Sequence, residues 1–518
     1  MEVMELSLLG LVSALLITWA WRTLSWLWWN PRKMTQCMKD QGISGPPYKF
    51  FYGNLKELVA VMTKVRSKPM AFSHRITDRI MSFEYNQVHT YGKMYLSWQG
   101  PTPRLNIMEP DMIRDILANK FGHFTKIKPH PIGKLLATGI VAYNGEKWAK
   151  HRRIINPAFH QEKLKLMLPA FSACCTELVA KWESLVSNEP CEVDVWPYLQ
   201  NLTADVISRT AFGSSYEEGR RIFELQTEMA DTMMQLVRTP TFFIPGFRFL
   251  PTKRHNRMKE IYREVRSLLR DMIKKREKSM KLGKAKNDDL LGILMESNFK
   301  ETKDGRHAKN SGMSIDEVIE ECKLFYFAGQ ETTSTLLVWT MVVLCMHPEW
   351  QEKAREEVMQ VFGSNKPNLE GLNHLKVVTM IFNEVLRLYP PVVMLTRRTY
   401  KPMKLGDISV PPDMDLVLPI LLVHHDHDLW GEDADEFNPE RFSEGISKAT
   451  KGKVSYFPFS WGPRICIGQA FALTEAKMAL AMILQKFSFK LSPTYAHAPY
   501  TVITIQPQYG AQLILHKL

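Results

Sequence analysis

Cys466 stands in Phe459-Ser460-Trp461-Gly462-Pro463-Arg464-Ile465-Cys466-Ile467-Gly468. A lone cysteine is usually a small buried hydrophobe. This one is bracketed by Gly462 and Gly468, which permit tight backbone turns on both sides of the sulfur. Such a turn can aim backbone N–H groups at a thiolate, lowering its pKa and tuning it as a metal ligand. Arg464, two residues away, suits a carboxylate on a bound cofactor. Residues 469–485 have helical periodicity, and a helix N-terminus beside the sulfur would further favour its negative charge.

Other residues could do chemistry. Ala328-Gly329-Gln330-Glu331-Thr332-Thr333 sets an acid next to an alcohol, with two small residues before them. A threonine hydroxyl in mid-helix normally bonds back to a carbonyl. Glu384 and Arg387 are three apart, on one helix face and able to pair, but such pairs are common on surfaces. Pro439-Glu440-Arg441-Phe442 follows downstream. His424-His425-Asp426-His427-Asp428 tempts a metal-site reading, yet its spacing offers no coherent tetrahedral or octahedral set.

Phe-x-x-Gly-x-Arg-x-Cys-x-Gly matches at every fixed position the heme-ligand signature of the cytochrome P450 family, which this chain resembles from end to end. The resemblance implies heme b with Cys466 as axial thiolate. It makes Glu331 and Thr332 the acid–alcohol pair that delivers protons to dioxygen, and Ala328 and Gly329 the room for the oxygen. Arg441 would join Glu384 and Arg387 in a buried structural network holding the cysteine loop. Phe459 opens that loop. Arg464, Trp148, Arg152 and Arg397 would bind the heme propionates. The 424–428 segment matches a structural turn of the family. Residues 145–159, 201–215 and 492–499 resemble the plant clan that includes secologanin synthase. The segment Gly45-Pro46-Pro47 is a thin version of the family's proline-rich hinge.

These residues must be positioned by a large fold. The 518 residues contain 45% hydrophobic residues, enough for a sizeable core. Ser314 and Glu317 form a capping box at the head of a helical stretch over 315–346, roughly 48 Å long at 1.5 Å per residue. It ends at His347-Pro348. Helical periodicity dominates 146–299, with charged faces such as 254–281. Strand signals occupy 91–108, 403–423 and 500–518, and 298–312 reads as a solvated loop. The short apolar stretch 241–246 reads either as a buried connection or as a second membrane-dipping surface beside a substrate entrance. The fold class is mainly α with a smaller β portion, a cytochrome P450 fold preceded by a single N-terminal transmembrane helix. The expected organisation is an anchor over 1–29, a basic linker and proline hinge over 30–47, and a catalytic domain over 48–518.

The anchor reading rests on residues 6–21, which carry no charge. Sixteen residues span only about 24 Å, short of the ~30 Å hydrocarbon core, and extension to Trp29 includes Arg22, which can snorkel. Trp19, Trp21, Trp26, Trp28 and Trp29 form an aromatic belt. Glu2 and Glu5 precede the segment, whereas Arg22, Arg32, Lys33 and Lys39 follow it. The reversed charge order argues against a cleaved signal peptide and places the catalytic domain on the cytosolic face, in the endoplasmic reticulum membrane.

Seven cysteines without a Cys-x-x-Cys pair exclude a disulfide scaffold and a zinc ribbon. No Walker A loop, Gly-x-Ser-x-Gly or His-Glu-x-x-His motif occurs. A formal charge of +13, spread along the chain, favours an acidic protein partner or a membrane surface over nucleic acid. The resemblance implies a monooxygenase fed from NADPH through cytochrome P450 reductase, with Lys150, Arg152 and Arg153 candidates for the docking face. Its substrate would be a lipophilic plant terpenoid: a triterpenoid first, then a seco-iridoid, then a gibberellin. Contacts are expected from 131–143, Phe325, 392–395 and 500–502. The rivals are a heme-thiolate isomerase or dehydratase and a non-enzymatic heme-binding protein. The intact threonine and cysteine loop argue against both.

Overall fold

The computed structural model describes residues 2–518 except 121, 129, 187–188, 240–241, 243–246, 248–251, 284–288 and 304–311. Most of the expectation for 241–246 therefore lies outside the described residues. Phe242 is described, and its ring packs against His130, with centroids 4.0 Å apart.

The chain enters as a helix, Glu2–Leu24, passes through a π-helical turn, Ser25–Trp29, and continues as Asn30–Lys39. Pro31 lies in the first turn of the last piece, where its missing N–H removes no helical bond. Ser7–Lys39 is long and apolar enough to cross a membrane, and its most apolar window is wholly unburied. Ile17 keeps 70% of its surface and Trp19 66%. Side chains that apolar and that exposed are consistent with a membrane anchor.

The expected linker is not a free one. Residues 30–39 are helical because their apolar side packs inward: Pro31 and Met38 are buried. The segment around Gly45 lies flat on a strand. The Leu96 N–H donates to Ser44 O at 3.0 Å, and a Cβ on Gly45 would stand 1.8 Å from Leu96 O. Gln41 exchanges two hydrogen bonds with the Ser409 backbone. Tyr48 donates to Leu27 O at 2.9 Å. The apolar rod is thus braced against the body through 41–48.

Residues 91–108 form the expected strands, Met94–Gln99 and Thr102–Ile107, antiparallel with Met94 opposite Ile107. The second runs parallel to Asp415–Leu418. That strand pairs antiparallel with Leu395–Thr399, and Phe124–Thr125 closes the sheet. A second sheet joins Cys191–Asp194, Gln512–Lys517 and Phe487–Leu491. Two short hairpins are Met403–Leu405 with Ile408–Val410 and Pro499–Thr501 with Ile505–Pro507. The polar stretch expected as loop from 298 begins as helix instead. Leu290–Lys303 is one helix, seeded by buried Leu290, Leu291, Leu294 and Met295.

The central element is Ile315–Met346, a 32-residue helix opened by the Ser314–Glu317 capping box with both reciprocal bonds present. Its second half is buried on nearly every face, as a helix hydrophobic all round must be. It packs beside Val195–Phe212 and Gln469–Leu484, and between these elements the site forms.

Candidate active site

The cysteine loop is a strained turn that the surrounding fold over-determines. Ser460 and Gly462 have φ of 66° and 72°. A Cβ on Gly462 would lie 2.6 Å from Leu117 O, so only glycine fits there. The Ser460 N–H donates to Phe457 O, and the Cys466 N–H to Phe459 O, both at 2.9 Å. Gly468 caps the helix Gln469–Leu484. Burial pushes the Cys466 thiol up, while the Gly468 N–H and the Arg152 charge favour its thiolate. The thiol is solvent-accessible yet enclosed by protein: it faces a cavity, not the outer surface.

A buried ionic network stands behind this loop. Arg387 donates Nε and Nη2 to the Glu384 carboxylate at 2.8 and 2.7 Å, both side chains fully buried. It also donates to the carbonyls of His424 and Glu436. Arg441 Nε approaches Glu384 at 3.5 Å and its other nitrogens bond Trp430 O and Asp433 O. His424 continues the chain. Burial holds it at about 3, hence neutral. Its Nε2 accepts from the Phe457 N–H at 3.1 Å, so Nδ1 carries the proton toward Arg387 O. His425 and His427 face Asp435. These histidines have structural partners, and no cluster of metal-ligating side chains occurs among the described residues.

The cavity has a volume of about 300 Å³ and is almost wholly apolar. Cys466, Phe459, Ile467 and Phe471 form one wall. Phe325, Ala328, Gly329, Thr332 and Thr333 of the long helix form another. Gly329 is where Val195–Phe212 approaches: a Cβ there would meet Ile207 Cγ1 at 2.6 Å. Thr332 Oγ1 donates back to Ala328 O at 2.9 Å while lining the cavity. Glu331 is buried on a different face. Thr504 Oγ1 donates to its Oε1 at 2.6 Å, and Gln506 Nε2 donates to the same oxygen. Burial raises the Glu331 pKa against these two donors. Of the expected substrate contacts, Val141, Phe325, Val392 and Leu395 line the cavity, and residues 500–502 do not.

A second compartment shares Arg464 with the cavity and is lined by Asn144, Trp148 and Arg397 among mostly apolar neighbours. Arg464 lies 4.5 Å over the Trp148 ring and donates to Tyr143 O at 2.8 Å. Arg397 is 3% exposed, and its Nη1 reaches only its neighbour's carbonyl, Thr396 O. Burial, then the Arg464 charge, holds Arg397 at about 10. Burial, then the charge of Arg152, holds Arg464 at about 10. Lys126 belongs to the same group: burial, then Arg397 and Arg464, brings it to about 7. Nothing in the sequence around Lys126 marked it, since only the fold brings it beside two arginines. Arg152, whose charge acts on Arg464, donates to Ile465 O at 2.8 Å, bracing the cysteine loop.

The profile of the family described as Cytochrome P450 matches residues 71–511. The chain belongs to this family. It is 59% identical over 521 residues to cytochrome P450 CYP72A616 of Paris polyphylla, covering 99% of this chain and 100% of that one. Cytochrome P450 CYP72A219 of Panax ginseng is 57% identical over 500 residues, covering 96% of each. The 11-oxo-beta-amyrin 30-oxidase of Glycyrrhiza uralensis is 52% identical over 516 residues, covering 98% of each. This P450 is thus a plant-type monooxygenase, an oxidoreductase of a family whose heme iron is held by a cysteine thiolate.

The residues present fit that cofactor. Among the described residues no carboxylate pairs with Lys126, Arg397 or Arg464, whose charged neighbours are other cations. Buried like charges without a counter-ion are costly, and a doubly anionic group beside them removes the cost. The apolar cavity, with one thiol at its wall and this cationic edge, matches a flat apolar macrocycle bearing carboxylates.

Proposed function

We propose that this P450 hydroxylates a lipophilic plant triterpenoid, using electrons from NADPH through cytochrome P450 reductase. The observation that carries the reading is the near absence of polar groups around the cavity, with Cys466 and Thr332 on facing walls. Heme, when bound, supplies dioxygen activation and transfer of one oxygen atom into a C–H bond. Cys466 Sγ would hold the iron; burial disfavours its thiolate, and the Gly468 N–H and the Arg152 charge favour it. Arg464, Arg397, Trp148 and Lys126 hold the propionates. Thr332 Oγ1 passes protons into the cavity and Glu331, whose neutral form burial favours, replenishes them through water. Phe159 and Phe325, stacked at 5.4 Å, exclude bulk water from that wall.

Triterpenoid is preferred because a relative 52% identical is named for oxidation of 11-oxo-beta-amyrin, and because so apolar a cavity offers few hydrogen bonds to a more polar iridoid. The aromatic belt and charge order around the apolar rod support an endoplasmic reticulum anchor with the domain on the cytosolic side. Lys150 and Arg153, on the helix Gly145–Ile155 beside the cysteine loop, suit an acidic reductase.

The test is a product screen by mass spectrometry in microsomes with reductase and NADPH, offering triterpene, iridoid and gibberellin substrates side by side. A triterpene product heavier by one oxygen atom is expected. Turnover of the iridoid or gibberellin alone overturns the substrate, while a preparation lacking the thiolate-type carbon monoxide band overturns the assignment of Cys466.

A further inference from the structure

The acid next to Thr332 is held from outside its own helix. Glu331 is 7% exposed, and its carboxyl accepts two side-chain hydrogen bonds from one hairpin, Pro499–Thr501 with Ile505–Pro507. Thr504, itself 1% exposed, donates at 2.6 Å and is backed by the Thr335 hydroxyl at 3.2 Å. Gln506 donates its amide N–H, and its Oε1 accepts from the Tyr500 hydroxyl at 3.3 Å. The hairpin is fixed in turn. The Ile505 N–H donates to Pro391 O at 3.2 Å, Pro391 lines the cavity, and Trp339 Nε1 donates to Ile505 O at 2.8 Å.

We propose that Thr504 and Gln506 are positioning residues for Glu331, holding its carboxyl at the flank of the cavity and setting the pH range over which it serves as an acid. This rests on the reading of Glu331 as the acid of the reaction.

The physical argument is one of opposed effects. A carboxyl this deeply buried favours its neutral form, and burial is the largest influence on Glu331. A group that never ionises cannot release a proton and regain it. Two donors aimed at one oxygen stabilise the carboxylate and bring the acid back toward the working range. The other charged or titratable groups that face it are Asp231 from the helix Tyr216–Val237 and Tyr500 from the hairpin, with Arg66 beyond Tyr500. Asp231 opposes ionisation of Glu331, and among the described residues no cation shares the work of the two donors. An amide does not relay protons readily, so Gln506 orients the carboxyl and does not conduct to it.

The experiment uses the full-length heme-loaded enzyme in lipid discs, with folding of each variant checked by its carbon monoxide band. Two readouts are taken across pH: product formed per NADPH, and the infrared carbonyl band of the protonated carboxyl, assigned by its loss in Glu331→Gln. Thr504→Val and Gln506→Leu are each expected to move the alkaline limb of the profile, and the loss of the carbonyl band, to higher pH. Thr504→Ser keeps the donor and is expected to match the parent. If the limb and the band stay where they are in both variants while Glu331→Gln abolishes the limb, the positioning role is overturned and the acid stands. If Glu331→Gln leaves product per NADPH and its pH profile unchanged, the reading of Glu331 as the acid is overturned. The infrared band alone then still reports whether Thr504 and Gln506 hold the carboxyl.

Discussion

Glu384→Ala would break the ionic network behind the cysteine loop, and its cost can be worked from the contacts. Glu384 and Arg387 have no exposed side-chain surface. The carboxylate accepts two bonds from Arg387 and one from the Asn438 N–H at 3.0 Å. Alanine removes both acceptor oxygens, and with them all three bonds, and leaves the guanidinium facing only carbonyls. Stripping one partner from a buried pair costs about 3–5 kcal/mol. A folded protein is stable by about 5–15 kcal/mol in all, so the variant is expected to lose roughly a fifth or more of its margin. The damage is directional, because Arg387 orients His424 and His424 holds Phe457 at the start of the loop. Urea unfolding of the purified domain should show the loss, and the thiolate-type carbon monoxide band should fall with it. The double variant Glu384→Ala with Arg387→Met removes the orphaned charge and should recover stability without recovering the band. A single variant within about 1 kcal/mol of the parent, with the band intact, would refute this account of the network.

Further expectations follow from single contacts. Gly462→Ala forces a side chain into φ of 72° and against Leu117 O; left-handed strain alone costs roughly 1–2 kcal/mol, and heme content measured by the pyridine complex should drop sharply. Gly329→Ala presses on Ile207 at 2.6 Å, and overpacking of that kind costs about 1–3 kcal/mol in thermal or urea unfolding. Arg397→Leu should leave the fold intact and weaken heme retention, read as faster transfer of heme to apomyoglobin. Lys126 has a folded pKa of about 7 against 10.5 for the free side chain. Between those values the unfolded chain binds the extra proton, so stability of the heme-free protein should rise with pH from about 7 to 10.5. That Lys126 contribution should vanish in Lys126→Met, seen as a flatter pH dependence of the urea midpoint.

The cysteine loop, the acid–alcohol pair and the long capped helix were legible in the sequence because each is a local pattern. A signature ten residues long carries its own turn chemistry, and a capping box with sustained apolar periodicity defines its own helix. The apolar rod at the N-terminus was legible for the same reason: sixteen uncharged residues in a row leave no face for water. What happens between distant segments was not. The stretch 44–47 has the composition of a hinge, yet Gly45 is pressed onto Leu96 because the strand edge needed a partner. Strands 191–194, 395–399 and 487–491 are too short to show a period and exist through their neighbours. Helix 290–303 runs into residues that look like loop because its first turn is buried.

At the site the division is the same. Residue types and spacing alone determined which side chains have the chemistry: one cysteine between glycines, a threonine after a glutamate, and arginines fit for carboxylates. Tertiary structure decided what each one meets. It gathered Lys126, Arg397 and Arg464 as neighbouring cations, with no carboxylate paired to them among the described residues, and it held Glu331 on Thr504 and Gln506. It also set Arg152 to brace the loop through Ile465. The physical reason is range. Backbone propensity and capping act over a few residues and can be read in order, whereas burial and charge depend on groups more than a hundred residues apart, whose proximity exists only once the core has closed.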